Sequence, residues 1–507
     1  MKKVSLVMLS ALLCGLSYAE IKMPSVFSDN MLLQRDMLVK VWGKADANAQ
    51  VDVAFGGQKK STKADASGNW SVKLDKMSAN KNPQEMTVSE NGKVGKVIKN
   101  ILVGEVWVAG GQSNMQWGIR SSKDAEKNIA EANNPLIRYF SQNTRTLSKT
   151  PAFDCVNGAW TMPSPKVAGG YSAVAYLFAK NLQKDLDVPV GIVFTALGGS
   201  RMVAWMPEDK IKDLDFAEKI FRNFVKTNAK YDPKKARADW ENEIREWRKL
   251  PNEQKAKKRK PRFPSPVSYM SEQATPVYLY NAVVAPLAGY GARGVIWYQG
   301  ESDANVGSVK YFGEQFELIV NSWREKFENP DMAFIQVQLA QYGKAKSDWP
   351  TARWKQYLAT KTISKCYMAN IIDSGEKNNI HPADKQIVAD RLERVALAEL
   401  YGKKDVHPYG PIMSSVKYAP DSVEISFDLF GEKLIGKGEP RGFELKIGNE
   451  WKPAKAELVG KKVKVVLDGN ADAKIEGVRY LWANWCKENV WLFNQNGLPA
   501  LSFIHQK

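Results

Sequence analysis

Short runs of alternating hydrophobic and polar residues dominate both ends of the chain. Near the start, turn-forming clusters such as Gly56-Gly57 separate runs at residues 39–42, 51–55, 70–74 and 86–89. A period of two is typical of strands that bury one face. We therefore predict a β-sandwich-like module over residues 20–100. A second β-rich module is predicted over residues 410–507, from runs at 423–427, 443–447, 463–467, 478–483 and 490–493.

The middle of the chain alternates between strand-like and helical patterns. Hydrophobic residues recur with helical spacing in residues 171–186, 311–327 and 384–400. Strand-like runs occupy residues 190–194, 294–298, 333–339 and 367–372. Such alternation predicts an α/β domain with a parallel sheet, here over residues 101–409.

A heavily charged stretch, residues 208–266, interrupts this α/β pattern. It contains helical segments and closes with a basic run at residues 255–262. Two interpretations stay open. The stretch forms a lid or a contact for an anionic glycan, or it is a helical excursion surrounded by solvent.

The first 19 residues have the pattern of a signal peptide. Lys2 and Lys3 precede an apolar run at residues 4–16, and small residues occupy positions 17 and 19. Cys14 follows the bulky Leu13, which argues against a lipoprotein anchor. We predict export to the periplasm or the medium. No later stretch approaches the roughly 20 apolar residues of a membrane span.

Composition adds three constraints. A hydrophobic fraction of 44% with 16 tryptophans permits large cores. The formal net charge of +18 is compatible with nucleic acid, an anionic polysaccharide or simply a basic surface. Beyond the leader, Cys155, Cys366 and Cys486 allow one disulfide at most and lack metal-ligand spacing, so we predict neither a metal nor a cofactor.

The first candidate for chemistry is Ser113. It follows a strand-like run and two glycines in the segment G-E-V-W-V-A-G-G-Q-S-N-M-Q-W at residues 104–117. Such a corner exposes the serine, which is either a nucleophile or the N-cap of an ordinary helix. The α/β-hydrolase motif G-x-S-x-G is absent, because Met115 occupies the second glycine position.

Three further segments follow predicted strands, and in a parallel sheet they would meet Ser113 at the carboxyl edge. They are Gly198-Gly199-Ser200, Gln299-Gly300-Glu301-Ser302 and Asp373 with Ile380-His381-Pro382. Serine needs a neighbouring base, which near neutral pH is usually histidine. The chain has three histidines, and His407 and His505 lie in an apparent linker and near the end. His381 is therefore the candidate base.

With these segments the chain resembles the sialate O-acetylesterase family, a branch of the SGNH hydrolases. The resemblance rests on G-Q-S-N-M at residues 111–115, W-Y-Q-G-E-S at 297–302, I-H-P at 380–382, and flanking segments at 27–36 and 493–500. It implies an SGNH-type three-layer parallel-sheet core with flanking β-sandwich-like modules. It also implies a cofactor-free serine esterase that removes acetyl groups from an O-acetylated glycan, either sialic acid or xylan.

The resemblance also implies roles for individual residues. Ser113 would be the nucleophile and His381 the base. The oxyanion would be bound by the backbone N–H groups of Ser113 and Gly199 and by the side-chain amide of Gln299.

This chain differs from the family in the residues expected to supply the acid partner of His381. Many relatives carry aspartate two or three residues before the histidine, where this chain has Asn379 and Asn378. We favour Glu301 as the acid, with Asp373 as the alternative. A non-catalytic glycan-binding relative would also explain the asparagines. A nucleic-acid binder would explain the charge, but the family resemblance argues against it, and we predict no nucleic-acid partner.

Overall fold

The protein is described from a computed structural model. The described residues are 21–211, 232–258, 260–261, 275–304, 309–467 and 474–507. The predicted signal peptide lies outside them, as does part of the predicted insertion at residues 208–266. Within the described part, no helix combines the length and apolar character needed to cross a bilayer.

Within residues 21–111 the structure has seven strands, and they include all four runs predicted there. They are β1 (Leu32–Gln34), β2 (Val39–Lys44), β3 (Gln50–Phe55), β4 (Gln58–Lys63), β5 (Asn69–Leu74), β6 (Asn80–Glu90) and β7 (Lys93–Gly111). Buried and exposed residues alternate strictly along β5, as the sequence pattern requires. The 19-residue strand β7 continues across residue 100 and pairs with β6 before it enters the central sheet. One strand therefore joins the first β-rich region to the α/β region.

The central sheet confirms the predicted α/β class. It adds β8 (Ile137–Ser141), β9 (Ala159–Thr161), β10 (Val190–Phe194), β11 (Gly294–Tyr298), β12 (Ala333–Val337) and β13 (Cys366–Ala369). The strand order is β13-β12-β11-β7-β10-β8-β9, and all neighbours are parallel except the edge strand β9. Because β7, β10, β11 and β13 run in one direction, the segments that follow them meet at one edge.

The described residues also form α-helices, several of which pack against this sheet. They are α1 (Ser113–Gln116), α2 (Ala125–Ala130), α3 (Pro165–Ala168), α4 (Ala173–Leu186), α5 (Glu208–Ile211), α6 (Pro233–Lys249), α7 (Asn252–Lys257), α8 (Phe312–Lys326), α9 (Trp349–Thr362) and α10 (Gln386–Leu400). Alternate residues of β7 enter different cores. Trp107 packs in one core with residues of α4 and α10, whereas Val108 packs in the other with residues of α8 and α9.

The last part of the chain is a set of short antiparallel strands, which include the five predicted runs in whole or in part. They are β14 (Ile412–Tyr418), β15 (Ser422–Asp428), β16 (Leu434–Gly436), β17 (Phe443–Ile447), β18 (Glu450–Pro453), β19 (Lys455–Val459), β20 (Lys462–Val466), β21 (Ile475–Tyr480), β22 (Leu492–Asn494) and β23 (Phe503–Gln506). The buried Arg353 of α9 links this region to the α/β region, since its guanidinium donates to the carbonyl oxygens of Ala483 and Asn484. Cys155, Cys366 and Cys486 are buried free thiols.

Candidate active site

Ser113 occupies a sharp corner between β7 and the short helix α1. Gly111 has a φ of +130°, and a Cβ atom built there would lie 2.2 Å from the carbonyl oxygen of Tyr298. Only glycine fits this approach. The N-cap of α1 is Gln112 rather than Ser113. The alternative of Ser113 as an N-cap is therefore wrong, and its hydroxyl is left to other partners.

The partner of the Ser113 hydroxyl is His381. The Nε2 atom of His381 lies 2.8 Å from Oγ of Ser113. This contact joins two residues that are 268 positions apart in the chain, and its length is that of a hydrogen bond. The structure thus brings together the predicted nucleophile and the predicted base.

The surroundings of His381 favour its neutral form and hold its backbone. The imidazole is half-buried and stacks on Trp117, with ring centroids 4.7 Å apart. Burial, together with the positive charge of Lys385, lowers the pKa of His381. Asn379 holds the backbone on both sides: its Oδ1 accepts from the His381 N–H at 3.0 Å, and its Nδ2 donates to the His381 carbonyl at 2.8 Å.

Neither predicted acid contacts the imidazole. Both carboxylate oxygens of Asp373 accept hydrogen bonds from Arg391, at 2.5 and 2.7 Å. Glu301 is partly buried, and its Oε1 accepts from Nδ2 of Asn114 at 2.5 Å. Burial raises the pKa of Glu301. Within the described part of the chain, no carboxylate hydrogen-bonds to the imidazole of His381, so the structure does not assemble the predicted Ser-His-acid triad.

Sequence reasoning missed Glu376, the acid of the same loop. It accepts from the N–H of Ala383 at 2.7 Å and from Nδ2 of Asn379 at 3.0 Å. Glu376 therefore organises the loop around His381 without contacting the ring. The signal in the sequence is its place five residues before the histidine, farther away than the two or three residues at which many relatives carry the aspartate.

The glycine turn predicted to bind the oxyanion lies beside Ser113. A Cβ atom at Gly198 would be 3.3 Å from Cβ of Ser113. Gln116 holds this turn, because its Oε1 accepts from the N–H of Gly198 at 2.8 Å. Gly199 has a φ of +75°, a conformation that favours glycine. The N–H groups of Ser113 and Gly199 have no protein acceptor among the described residues, so both are free to bind an oxyanion.

The side chain of Gln299 does not fit the oxyanion role. It is fully buried, and its Nε2 donates to the carbonyl of Ser200 at 3.2 Å and to Asp303 at 2.6 Å. An amide nitrogen carries two hydrogens, and both are used. The buried Asp303, which sequence reasoning missed, also accepts from the N–H of Met202 at 2.9 Å. Gln299 and Asp303 therefore stabilise the glycine turn through these hydrogen bonds to the backbone of Ser200 and Met202.

A cleft of about 470 Å³ lies next to this site. Gln116 belongs both to the cleft and to the site, and the other lining residues include Tyr139, Asn143, Arg145, Tyr171 and Phe194. Its volume falls in the usual range for a small-ligand pocket. Near the serine corner, Trp205 and Tyr298 are buried in the cores, and Trp117 stacks on His381.

Comparison with known proteins gives concordant matches. The family described as "Carbohydrate esterase, sialic acid-specific acetylesterase" matches residues 103–238 and 268–388. Sialate O-acetylesterases of Rattus norvegicus and Homo sapiens are 26% and 25% identical to the chain, over 94% and 95% of its length and 93% and 91% of theirs. The crystal structure of a carbohydrate acetylesterase from Xanthomonas citri has a TM-score of 0.80 and 28% identity, covering 96% of this chain and 100% of that one.

Proposed function

Because the chain belongs to the sialic acid-specific acetylesterase family of carbohydrate esterases, it is an ester hydrolase, and we propose that it removes O-acetyl groups from carbohydrate through an acyl-enzyme on Ser113. The observation that carries this mechanism is the 2.8 Å contact between Oγ of Ser113 and Nε2 of His381. The parallel sheet, with helices in both cores, supports assignment to the SGNH type.

The reaction begins when Oγ of Ser113 attacks the acetyl carbonyl carbon and its proton passes to Nε2 of His381. The carbonyl oxygen becomes an oxyanion, which the backbone N–H groups of Ser113 and Gly199 stabilise. Collapse of the tetrahedral intermediate breaks the ester bond, and His381 returns the proton to the departing sugar hydroxyl. Water then attacks the acetyl group with His381 again as base, which releases acetate and restores Ser113.

The cleft beside Gln116 is our candidate site for the sugar. It adjoins the serine corner, and aromatic rings of Tyr139, Tyr171 and Phe194 line it. Aromatic faces and hydrogen-bonding side chains together suit a carbohydrate ring. Sialic acid and xylose differ in charge, and Arg145 is the one charged residue among those lining this cleft.

The test of the function is acetate release by the purified protein. The substrates are 9-O-acetylated sialic acid, acetylated xylan and a small aryl acetate. We expect release from at least one acetylated sugar, and the preferred sugar defines the substrate class. Release from none of the three would contradict the proposed activity and favour a glycan-binding role.

The activity should persist to a lower pH than an ordinary histidine would allow. His381 must be neutral to accept the serine proton, and its pKa lies below the ordinary value of 6.5. Activity is therefore lost only as the pH falls through this lowered pKa. We expect the acid limb of kcat/KM for the aryl acetate to have its midpoint below pH 6.5. A midpoint above 6.5 would contradict this environment for the base.

Replacing Gln116 by methionine should slow the chemical step. Methionine preserves the approximate size of the side chain but removes the acceptor that holds the N–H of Gly198. We expect kcat to fall about tenfold, because the neighbouring N–H of Gly199 is no longer held toward the oxyanion. The matched control is Gln495→Met, since Gln495 accepts from the N–H of Glu432 in the last β-rich region. Equal kcat values for the two variants would contradict the role of Gln116.

A further inference from the structure

Three side chains, the buried Asn114 and Lys385 and the partly buried Glu301, form a hydrogen-bonded cluster next to Ser113 and His381. Nδ2 of Asn114 donates to Oε1 of Glu301 at 2.5 Å, and Nζ of Lys385 donates to Oδ1 of Asn114 at 2.6 Å. Asn114 and Lys385 are each 1% exposed. The cluster therefore connects the serine corner, the segment after β11 and the start of α10.

The chemistry of the two flanking groups determines which way the Asn114 amide points. A carboxylate only accepts hydrogen bonds and an ammonium group only donates them. The amide nitrogen must therefore face Glu301, and the amide oxygen must face Lys385. The reversed orientation would place the amide oxygen against the carboxylate of Glu301 and the amide nitrogen against the ammonium group of Lys385. Both hydrogen bonds would then be lost, and hydrogen bonds left unmade by buried groups are costly.

The orientation of Asn114 has a consequence for the base. With Nδ2 facing Glu301, this nitrogen also donates its second hydrogen to the carbonyl oxygen of Ile380, and the nitrogen and oxygen lie 3.0 Å apart. Ile380 is the residue immediately before His381. Asn114 is also the residue immediately after Ser113, so one side chain ties the backbone of the base to the helix that carries the nucleophile.

We propose that Asn114 is a positioning residue for the Ser113–His381 pair, and that Glu301 and Lys385 act on His381 through the Asn114 amide. This inference rests on the proposed esterase function. It assigns Glu301 a task other than contact with the imidazole. The short serine–histidine distance then depends on an amide whose orientation is fixed from both sides.

Lys385 has a second effect on His381, through its charge. Its Nζ lies 5.7 Å from the ring centre of Tyr298 and 6.0 Å from that of Trp117, the ring that stacks on the imidazole. Burial lowers the pKa of Lys385 to about 7, opposed by the charges of Glu301, Glu376 and Asp384. In its protonated form, Lys385 lowers the pKa of His381.

The decisive variant is Glu301→Gln, compared with the wild type on the aryl acetate. Glutamine keeps the shape of the side chain and an oxygen that accepts from Asn114. If Glu301 positions Asn114, kcat should fall about fivefold or less, the size of one weakened hydrogen bond. If Glu301 instead stabilised the imidazolium as a triad acid, kcat should fall by about 10⁴-fold, as in triads that lose their carboxylate. That larger loss would overturn the proposal.

A second pair of variants tests the direction of the hydrogen bonds. Asn114→Asp places an acceptor against both Glu301 and the Ile380 carbonyl, so we expect kcat to fall about 10- to 100-fold. Adding Glu301→Gln restores a donor facing position 114, and N114D/E301Q should recover at least about fivefold over N114D. A double variant no better than N114D would contradict the proposed polarity. Thermal unfolding of each variant identifies losses due to folding.

The pH profile of Lys385→Met gives a readout that a purely structural role would not change. Removing the cation should raise the pKa of His381, so the acid limb of kcat/KM should move to higher pH. The exposed Lys377, in the same loop as His381, provides the matched control Lys377→Met. Identical acid limbs in both variants would overturn the electrostatic part of the proposal. Because wild-type acetate release is measured alongside, failure of this inference is distinguishable from failure of the esterase function.

Discussion

Replacing Ser113 by alanine should reduce acetate release by a factor on the order of 10⁶, to the level left by binding and the oxyanion site alone. The physical reason is that, in the proposed mechanism, Oγ of Ser113 forms the acyl-enzyme, and its hydroxyl donates to Nε2 of His381, 2.8 Å away. The measurement is kcat for each substrate of the panel. A fluorophosphonate reagent should label the wild type and leave Ser113→Ala unlabelled.

The matched control for this experiment is Ser121→Ala. Ser121 is exposed and lies just beyond the serine corner. We expect that variant to keep wild-type kcat and to be labelled by the reagent. Acetate release by Ser113→Ala within about tenfold of the wild type would show that another nucleophile carries the reaction.

The second large effect is expected for His381→Ala. Loss of the base leaves the serine hydroxyl un-ionised, and kcat should fall by a factor on the order of 10⁵ to 10⁶. Since Ser113 and His381 act as one unit in the proposed mechanism, the double variant S113A/H381A should be no slower than Ser113→Ala alone. A further multiplicative loss in the double variant would mean that the two residues work independently.

The remaining histidines provide unusually clean controls, because the chain contains only three. Nδ1 of His505 lies 3.0 Å from the Tyr418 hydroxyl in the last β-rich region. His407 lies in the segment between α10 and β14. His407→Ala and His505→Ala should both keep wild-type kcat. A loss in either that matched His381→Ala would contradict the assignment of the base.

The support of His381 differs from the arrangement expected for a triad. Asn379 stands where relatives are expected to have an aspartate. It hydrogen-bonds to the backbone of His381 and not to the imidazole ring. Trp117 covers one face of the imidazole. A neutral imidazole with a lowered pKa needs no carboxylate to remain a base near neutral pH. The cost is that the imidazolium formed during the reaction lacks a paired negative charge.

The sequence alone predicted many of the elements and the proposed reacting pair. Periods of two and of 3.6 residues arise from the local geometry of strands and helices, so runs such as Val190–Phe194 and Gly294–Tyr298 were predicted with their observed ends. Ser113 was recognisable because a glycine-rich strand end constrains the local backbone. His381 was recognisable because so few histidines compete for the role of base.

Only the tertiary structure decided the partners of the buried polar side chains. Asp373 follows β13 as predicted, but Arg391 of α10 binds its carboxylate. The side-chain amide of Gln299 donates to Asp303, and the carboxylate of Glu301 accepts from Asn114. These choices depend on side-chain directions and on residues distant in sequence. Hydrogen-bond energies depend on distances of a few tenths of an ångström, which hydrophobic periodicity does not encode.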